Sequence, residues 1–305
     1  MNLWLEAILA ALFAATGALL GYLFSRLPKP YWMLGYFIPL SLILIYRVAL
    51  FCPALAFLPP ASWMMIGLRK FALLGFVATM VLTAPLSRLP RKRDRLLVGL
   101  LMAVFVAVKS VWPFLAPLAN HQQLAHLQTR VSSDGVCRQT TDYTCGPAAA
   151  VTALRKLGLP ADEGKLALLS HTSSTTGTEP DILAEVLQKE YRKDGLTVEY
   201  RAFKDLSELR QAGLTLAVVK FDFLVDHFVA VLEVTDAEVI VGDPLNGLDR
   251  MTHDEFRKKW RFCGVVLKRQ SLKNGTAQAG AAPLRHSVLN NSRAEGILSS
   301  QPSAM

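Results

Sequence analysis

Charge is scarce in this 305-residue chain, where Asp, Glu, Lys and Arg make up 19% while apolar residues reach 52%. A soluble domain carries about 25% charge, so an ordinary globular composition is excluded. The length allows two modest domains. The scarcity is also lopsided. Up to Asn120 only Glu6 and Asp94 are acidic, against 11 Lys and Arg. The whole chain has 33 basic and 24 acidic residues, so the remainder holds 22 of each and is neutral. The net charge of +9 therefore belongs to the first part, between and beside apolar runs. It is not the basic face of a nucleic-acid-binding domain, and no nucleic-acid partner is expected.

Other absences narrow the function. No G-x-x-x-x-G-K-[ST] is present, so no nucleotide is expected to be bound or hydrolysed by a phosphate loop. No internal repeat is visible. No His and Cys combination has the spacing of a zinc site, and no metal or other cofactor is expected. His121, His126, His171, His253 and His286 receive no role. A basic segment is missing before the first apolar run, where Asn2 and Glu6 stand, which argues against a cleaved signal peptide.

The apolar runs are what the first part has instead. Ala7 to Phe24, Tyr31 to Leu50 and Leu96 to Leu118 are long or nearly long enough to cross a bilayer, which takes about 20 residues. Phe71 to Leu86 is shorter; it spans with Arg69 and Lys70 snorkelling ahead of it, or it lies in the interface. Buried helices of a soluble domain would show a polar face, and these barely do. Residues 1–120 therefore read as an all-α transmembrane region of three or four helices. The cluster from Arg88 to Arg95 is the densest positive segment and should stay cytoplasmic. Four crossings put the N-terminus outside, three put it inside, and both place everything after Asn120 on the extracytoplasmic side. Lys109, near the middle of the last run, costs roughly 3 kcal/mol on insertion, which so apolar a run tolerates.

From His121 to about Gln270 the texture becomes that of a globular domain. Helices are expected over Gly146 to Leu157, Asp162 to Leu169, Glu179 to Tyr191 and Asp254 to Trp260. The acidic residues opening the third of these suit a helix N-terminus. Strands are expected over Leu196 to Phe203, Leu214 to Phe221, His227 to Val234, Glu238 to Val241 and Gly264 to Lys268. Helices first and strands after give an α+β domain with a largely antiparallel sheet. The tail 271–305 has no aromatic residue and reads as disordered.

Four cysteines occur. Cys145, in Tyr-Thr-Cys-Gly-Pro, sits where a helix begins, and a helix N-terminus stabilises a thiolate. Pro147 suits the first turn and Gly146 lets the backbone bend beside the sulfur. Alone, Cys145 would read as a small buried hydrophobe. A thiolate nucleophile needs a base, and the base needs an orienting acceptor. His227 opens one strand and Asp243, in Val-Gly-Asp-Pro, ends the next. An antiparallel pair turning near Thr235 and Asp236 would set imidazole and carboxylate side by side. Singly, His227 would be a core histidine and Asp243 a turn residue. Gln139, with five residues between it and Cys145, could join the Cys145 amide in an oxyanion hole.

Gln139-x5-Cys145-Gly-Pro, a small-residue helix, His227-Phe-Val and Asp243-Pro together resemble the papain-like cysteine peptidases that process bacteriocin precursors after a double glycine. The resemblance extends over about Val136 to Lys268 and includes Gly177-Thr178, the run Asp243 to Gly247, and Met251 with Phe256 and Trp260. It implies a papain-like domain over 121–270 with Cys145 as nucleophile, His227 as general base, Asp243 as orienter and Gln139 as oxyanion donor. That family's exporters place the peptidase ahead of a membrane core and an ATPase, whereas here the apolar segments come first.

The expectation is a multi-pass, membrane-anchored cysteine endopeptidase acting on a peptide or protein, with the lipid bilayer as its other partner. A separate exporter or secretion assembly stays open. A papain-like acyltransferase or amidase would use the same residues, and a catalytically silent, membrane-tethered peptide-binding module is the reading outside enzymology. In an oxidising compartment Cys137 and Cys263 are candidates for a disulfide, while the nucleophile stays free.

Overall fold

A computed structural model of the chain describes residues 2–51, 55, 57–59, 61–65, 67–222 and 225–270. The tail 271–305 and Cys52 lie outside the described residues. The apolar runs are helical: α1 (Leu3–Ser25), α2 (Leu34–Phe51), a short α3 (Ala61–Met65), α4 (Arg69–Thr83) and α5 (Lys92–Phe105). The last of these continues through a π-helical turn, Val106–Val111, into α6 (Trp112–Ala119), with α7 (His121–Ala125) after it. Among the described residues, four stretches are long and apolar enough to cross a membrane: Leu3–Ser25, Tyr31–Ala49, Arg69–Arg88 and Lys92–Ala125. The short run after Lys70 is thus a helix of spanning length.

Small residues set how α1 meets α4. A Cβ at Gly17 would lie 2.5 Å from Thr79 Oγ1, and one at Gly21 would lie 2.5 Å from the Met80 carbonyl oxygen, so only glycine permits this approach. Close backbones of this kind are how helices associate where no hydrophobic effect drives them together. The buried Thr79 hydroxyl donates across the contact to the Ala14 carbonyl at 2.8 Å. Ala7 and Ala10 cluster with Leu68, Gly17 faces Phe76, and Ser87 reaches the Ser25 carbonyl at 3.4 Å. The two helices therefore run parallel, which requires α2 to return between them.

Beyond α7 the chain forms a two-stranded ribbon, β1 (Arg130–Val131) with β2 (Cys137–Arg138), then α8 (Cys145–Lys156), α9 (Glu163–Leu169) and α10 (Pro180–Tyr191). The strands β3 (Leu196–Ala202), β4 (Thr215–Asp222), β5 (Val225–Val234), β6 (Glu238–Asp243), β7 (Gly247–Thr252) and β8 (Trp260–Arg269) make one sheet. Its order is β3-β8-β4-β5-β6-β7 and every pairing is antiparallel. Two short helices, α11 (Leu206–Ala212) and α12 (His253–Lys259), complete it.

Both sheet faces are covered, which explains why β5 reads as an almost unbroken apolar run. Phe228 and Ala230 pack with Leu154, Leu183 and Leu187 of α8 and α10. Val229 and Val231 pack instead with Leu209 of α11 and Phe256 of α12. Three expected strands are longer than read: β5 starts at Val225, β6 runs on to Asp243, and β8 starts at Trp260.

The Cys137–Cys263 disulfide is not formed; both are free thiols. They belong to different sheets. The Cys137 amide is tied to Thr152 Oγ1 on α8 at 2.9 Å, while the Cys263 sulfur lies 3.9 Å from the Tyr200 hydroxyl. Burial pushes the Cys137 thiol up to about 12 and the Cys263 thiol up to about 11, so neither is a nucleophile at neutral pH.

Candidate active site

Cys145 is the first residue of α8, with Thr144 as the cap. The following helix can lie close to its neighbours because Ala148, Ala149, Ala150 and Ala153 are all buried and small. Gly146 is required sterically: a Cβ there would stand 2.9 Å from the Thr178 Cβ. Pro147 loses nothing in the first turn, where amide groups have no helical acceptor.

The other two groups come from one hairpin. β5 and β6 pair with Ala230 opposite Gly242, and the turn is closed by the Thr235 amide donating to the Glu238 carbonyl at 2.9 Å. That register brings His227 and Asp243 together, with His227 Nε2 2.7 Å from Asp243 Oδ1. Both side chains are buried. The Cys145 thiol is among the groups that favour the protonated His227 ring.

Asp243 is itself held. Its Oδ1 accepts from the Leu245 amide at 2.8 Å and its Oδ2 from Asn246 Nδ2 at 2.8 Å. Burial acts to raise the Asp243 carboxyl, but the His227 hydrogen bond and these donors outweigh it and hold it below the usual carboxylate value. Burial likewise acts to lower the His227 ring, and the bond to Asp243 together with the nearby Cys145 sulfur outweighs it, taking the ring up to about 9. The imidazolium is therefore the favoured form at neutral pH.

Gln139 is brought to the site through its main chain: its amide donates to the Pro244 carbonyl, next to Asp243, at 3.1 Å. Its side-chain Nε2 donates to the Thr141 carbonyl at 2.9 Å, and its buried Oε1 has no hydrogen-bond partner. The same loop is fixed from behind by Glu163, fully buried, which accepts from the Thr140 amide at 2.9 Å and the Thr140 hydroxyl at 2.7 Å. Glu163 is a support that no motif announced, whereas Thr178 and Asn246 lie in Gly177-Thr178 and in the run Asp243 to Gly247, which the resemblance includes.

An imidazolium held by a carboxylate, with a helix-start thiol among the groups that favour its proton, is an arrangement suited to acyl transfer through a thioester. Among the described residues no group of three or more His, Cys, Asp or Glu side chains could hold a metal.

Residues 134–273 match the Peptidase C39 family. They form a domain of that cysteine peptidase family. An uncharacterized protein of Methanothermobacter marburgensis is 28% identical to this chain over 144 residues, 47% of this chain and 95% of the relative. The probable functional amyloid protease FapD of Pseudomonas aeruginosa is 28% identical over 154 residues, 48% of this chain and 64% of its own length. Among solved structures, the peptidase domain of Streptococcus ComA, a bi-functional ABC transporter involved in a quorum sensing pathway, is similar to the C39 domain. Its TM-score is 0.39 at 21% identity, covering 44% of this chain and 96% of that one.

Proposed function

We propose that the chain is a membrane-anchored cysteine endopeptidase in which residues 1–120 are the anchor and 121–270 the peptidase domain. Cys145 is the nucleophile, His227 the general base, Asp243 its orienter and Gln139 an oxyanion donor. The observation that carries this reading is the 2.7 Å bond between the His227 ring and Asp243, with the Cys145 thiol at the start of α8 further favouring the ring's proton. His227 already holds the proton that the thiol gives up, and the thiolate attacks a peptide carbonyl. Negative charge on the carbonyl oxygen is met by the Cys145 amide and the Gln139 side chain. Collapse of the tetrahedral adduct breaks the C–N bond, His227 gives its proton to the departing amine, and a thioester remains. Water, deprotonated by His227, then releases the acid and returns the thiol. The description of the Pseudomonas relative as a protease supports a peptide bond as the one broken.

Purified full-length protein incubated with a defined peptide library, its products read by mass spectrometry, should release new termini. Cys145→Ala should release none, and cleavage persisting in that variant would refute the assignment.

A further inference from the structure

We propose that Lys70 and Glu179 are positioning residues for Cys145, so that the membrane helices form part of the catalytic framework as well as its anchor. This rests on the reading of Cys145 as nucleophile. The acidic start of α10 suits a helix N-terminus by sequence, yet Glu179, its cap residue, makes no capping bond. Its carboxylate turns instead to the membrane helix α4, with Oε1 and Oε2 at 2.7 and 2.8 Å from Lys70 Nζ. Lys70 is accordingly an ion-pair partner here and not a snorkelling cation. Asp181, two residues on, accepts from the Gly67 amide at 2.6 Å, just ahead of α4.

The segment that ends at Glu179 is gripped at two further points by the last membrane helix and its end. Trp112 Nε1 donates to Thr175 Oγ1 at 3.2 Å, and the Ser174 amide donates to Asn120 Oδ1 at 3.1 Å. Within the segment Ser173 and Gly177 form a β-bridge, and the buried Thr172 and Thr178 hydroxyls bond at 2.7 Å. Its other face is the wall of the active site: Thr178, adjacent to Glu179, occupies the space a Cβ at Gly146 would need. The mechanical path is therefore short. Lys70 fixes Glu179, Glu179 fixes Thr178, and Thr178 fixes Gly146 and with it the sulfur. A carboxylate as buried as Glu179 does not stay in place without its partner.

The test uses the full chain in detergent micelles and two readings: the rate at which iodoacetamide alkylates Cys145, and turnover of the peptide library. Iodoacetamide is too small to need a peptide subsite, so a role in substrate delivery would not alter its rate. Lys70→Met and Glu179→Gln should each slow both readings about tenfold or more, because displacements of about an ångström at a reacting atom have effects of that size. Lys70→Arg, and the exchanged pair Lys70→Glu with Glu179→Lys, should recover to within about threefold of wild type, since each keeps an ion pair at the contact. Glu179→Gln leaves no buried carboxylate unpaired, so it carries the test if Lys70→Met does not fold. Alkylation within about twofold of wild type in either folded single variant overturns the proposal, being far below the loss a shifted nucleophile produces. If that happens while Cys145→Ala still abolishes turnover, only the positioning role falls. If wild-type Cys145 reacts no faster than free cysteine, the nucleophile assignment falls with it.

Discussion

His227 holds a proton that its burial alone would remove. The carboxylate of Asp243 and the sulfur of Cys145 reverse the sign of that effect, and the ring is carried from its ordinary 6.5 up to about 9. Catalysis needs the imidazolium to hand a proton to the leaving amine, so activity should fall on the alkaline side near that value. Asp243→Asn removes the second-largest influence on the ring and a raising one, so the alkaline limb of kcat/KM should move down toward 6.5. A raised folded value also stabilises the fold below the unfolded value, and that stabilisation is lost as pH rises through the folded one. The melting-temperature gap between wild type and Asp243→Asn should therefore narrow between about pH 6 and about pH 10. Glu163 acts on the opposite wall. Glu163→Gln cannot accept both Thr140 donors without turning its amide toward one of them, and about 1–3 kcal/mol of stability should be lost in a denaturant titration. Cys145, His227 and Asp243 were legible in the sequence because each lies at or near the boundary of an element, where residue type and chain direction say where a side chain ends up. Glu163 was not, because its meeting with Thr140 is tertiary and nothing between the two residues signals it.

At the scale of elements, the hairpin of β5 and β6 does most to assemble the site, and two short apolar runs separated by the polar turn at Thr235 and Asp236 made it readable. What escaped reading was short or edge-placed. α11 has seven residues, with Leu206, Leu209 and Ala212 as its buried side, too few for a period to stand out. β7 is an edge strand whose Asp249 and Arg250 look like loop residues, because one of its faces is open to solvent. The start of α8 is the element whose placement matters most, and it can be perturbed at one atom. Gly146→Ala puts a methyl 2.9 Å from the Thr178 Cβ. The helix start or the Thr178 segment must then give way, at about 1–3 kcal/mol. The variant should remain folded by circular dichroism and yet alkylate at Cys145 more slowly than wild type. A variant with unchanged alkylation would mean that the helix start tolerates a shift that the packing does not suggest.

For the whole molecule, orientation depends on the Arg88–Arg95 cluster and the parallel pairing of α1 with α4. If the cluster stays cytoplasmic, the start of α4 and the end of α6 lie on the far side, and both of them touch the segment 174–181. On that condition, the proposed reading puts the C39 domain on the extracytoplasmic side. This makes Cys145 a topological probe. Cys137 and Cys263 are buried thiols with pKa values pushed up to about 12 and about 11, so they stay silent toward a maleimide at neutral pH. In cells expressing the chain with Cys52→Ser, and with the cell envelope opened only as far as the inner membrane, a membrane-impermeant maleimide should label the protein. The same chain with Cys145→Ala should stay unlabelled. Labelling of Cys145 only after the inner membrane is lysed would place the domain in the cytoplasm and reverse the orientation, because an impermeant reagent cannot reach a cytoplasmic thiol through an intact bilayer.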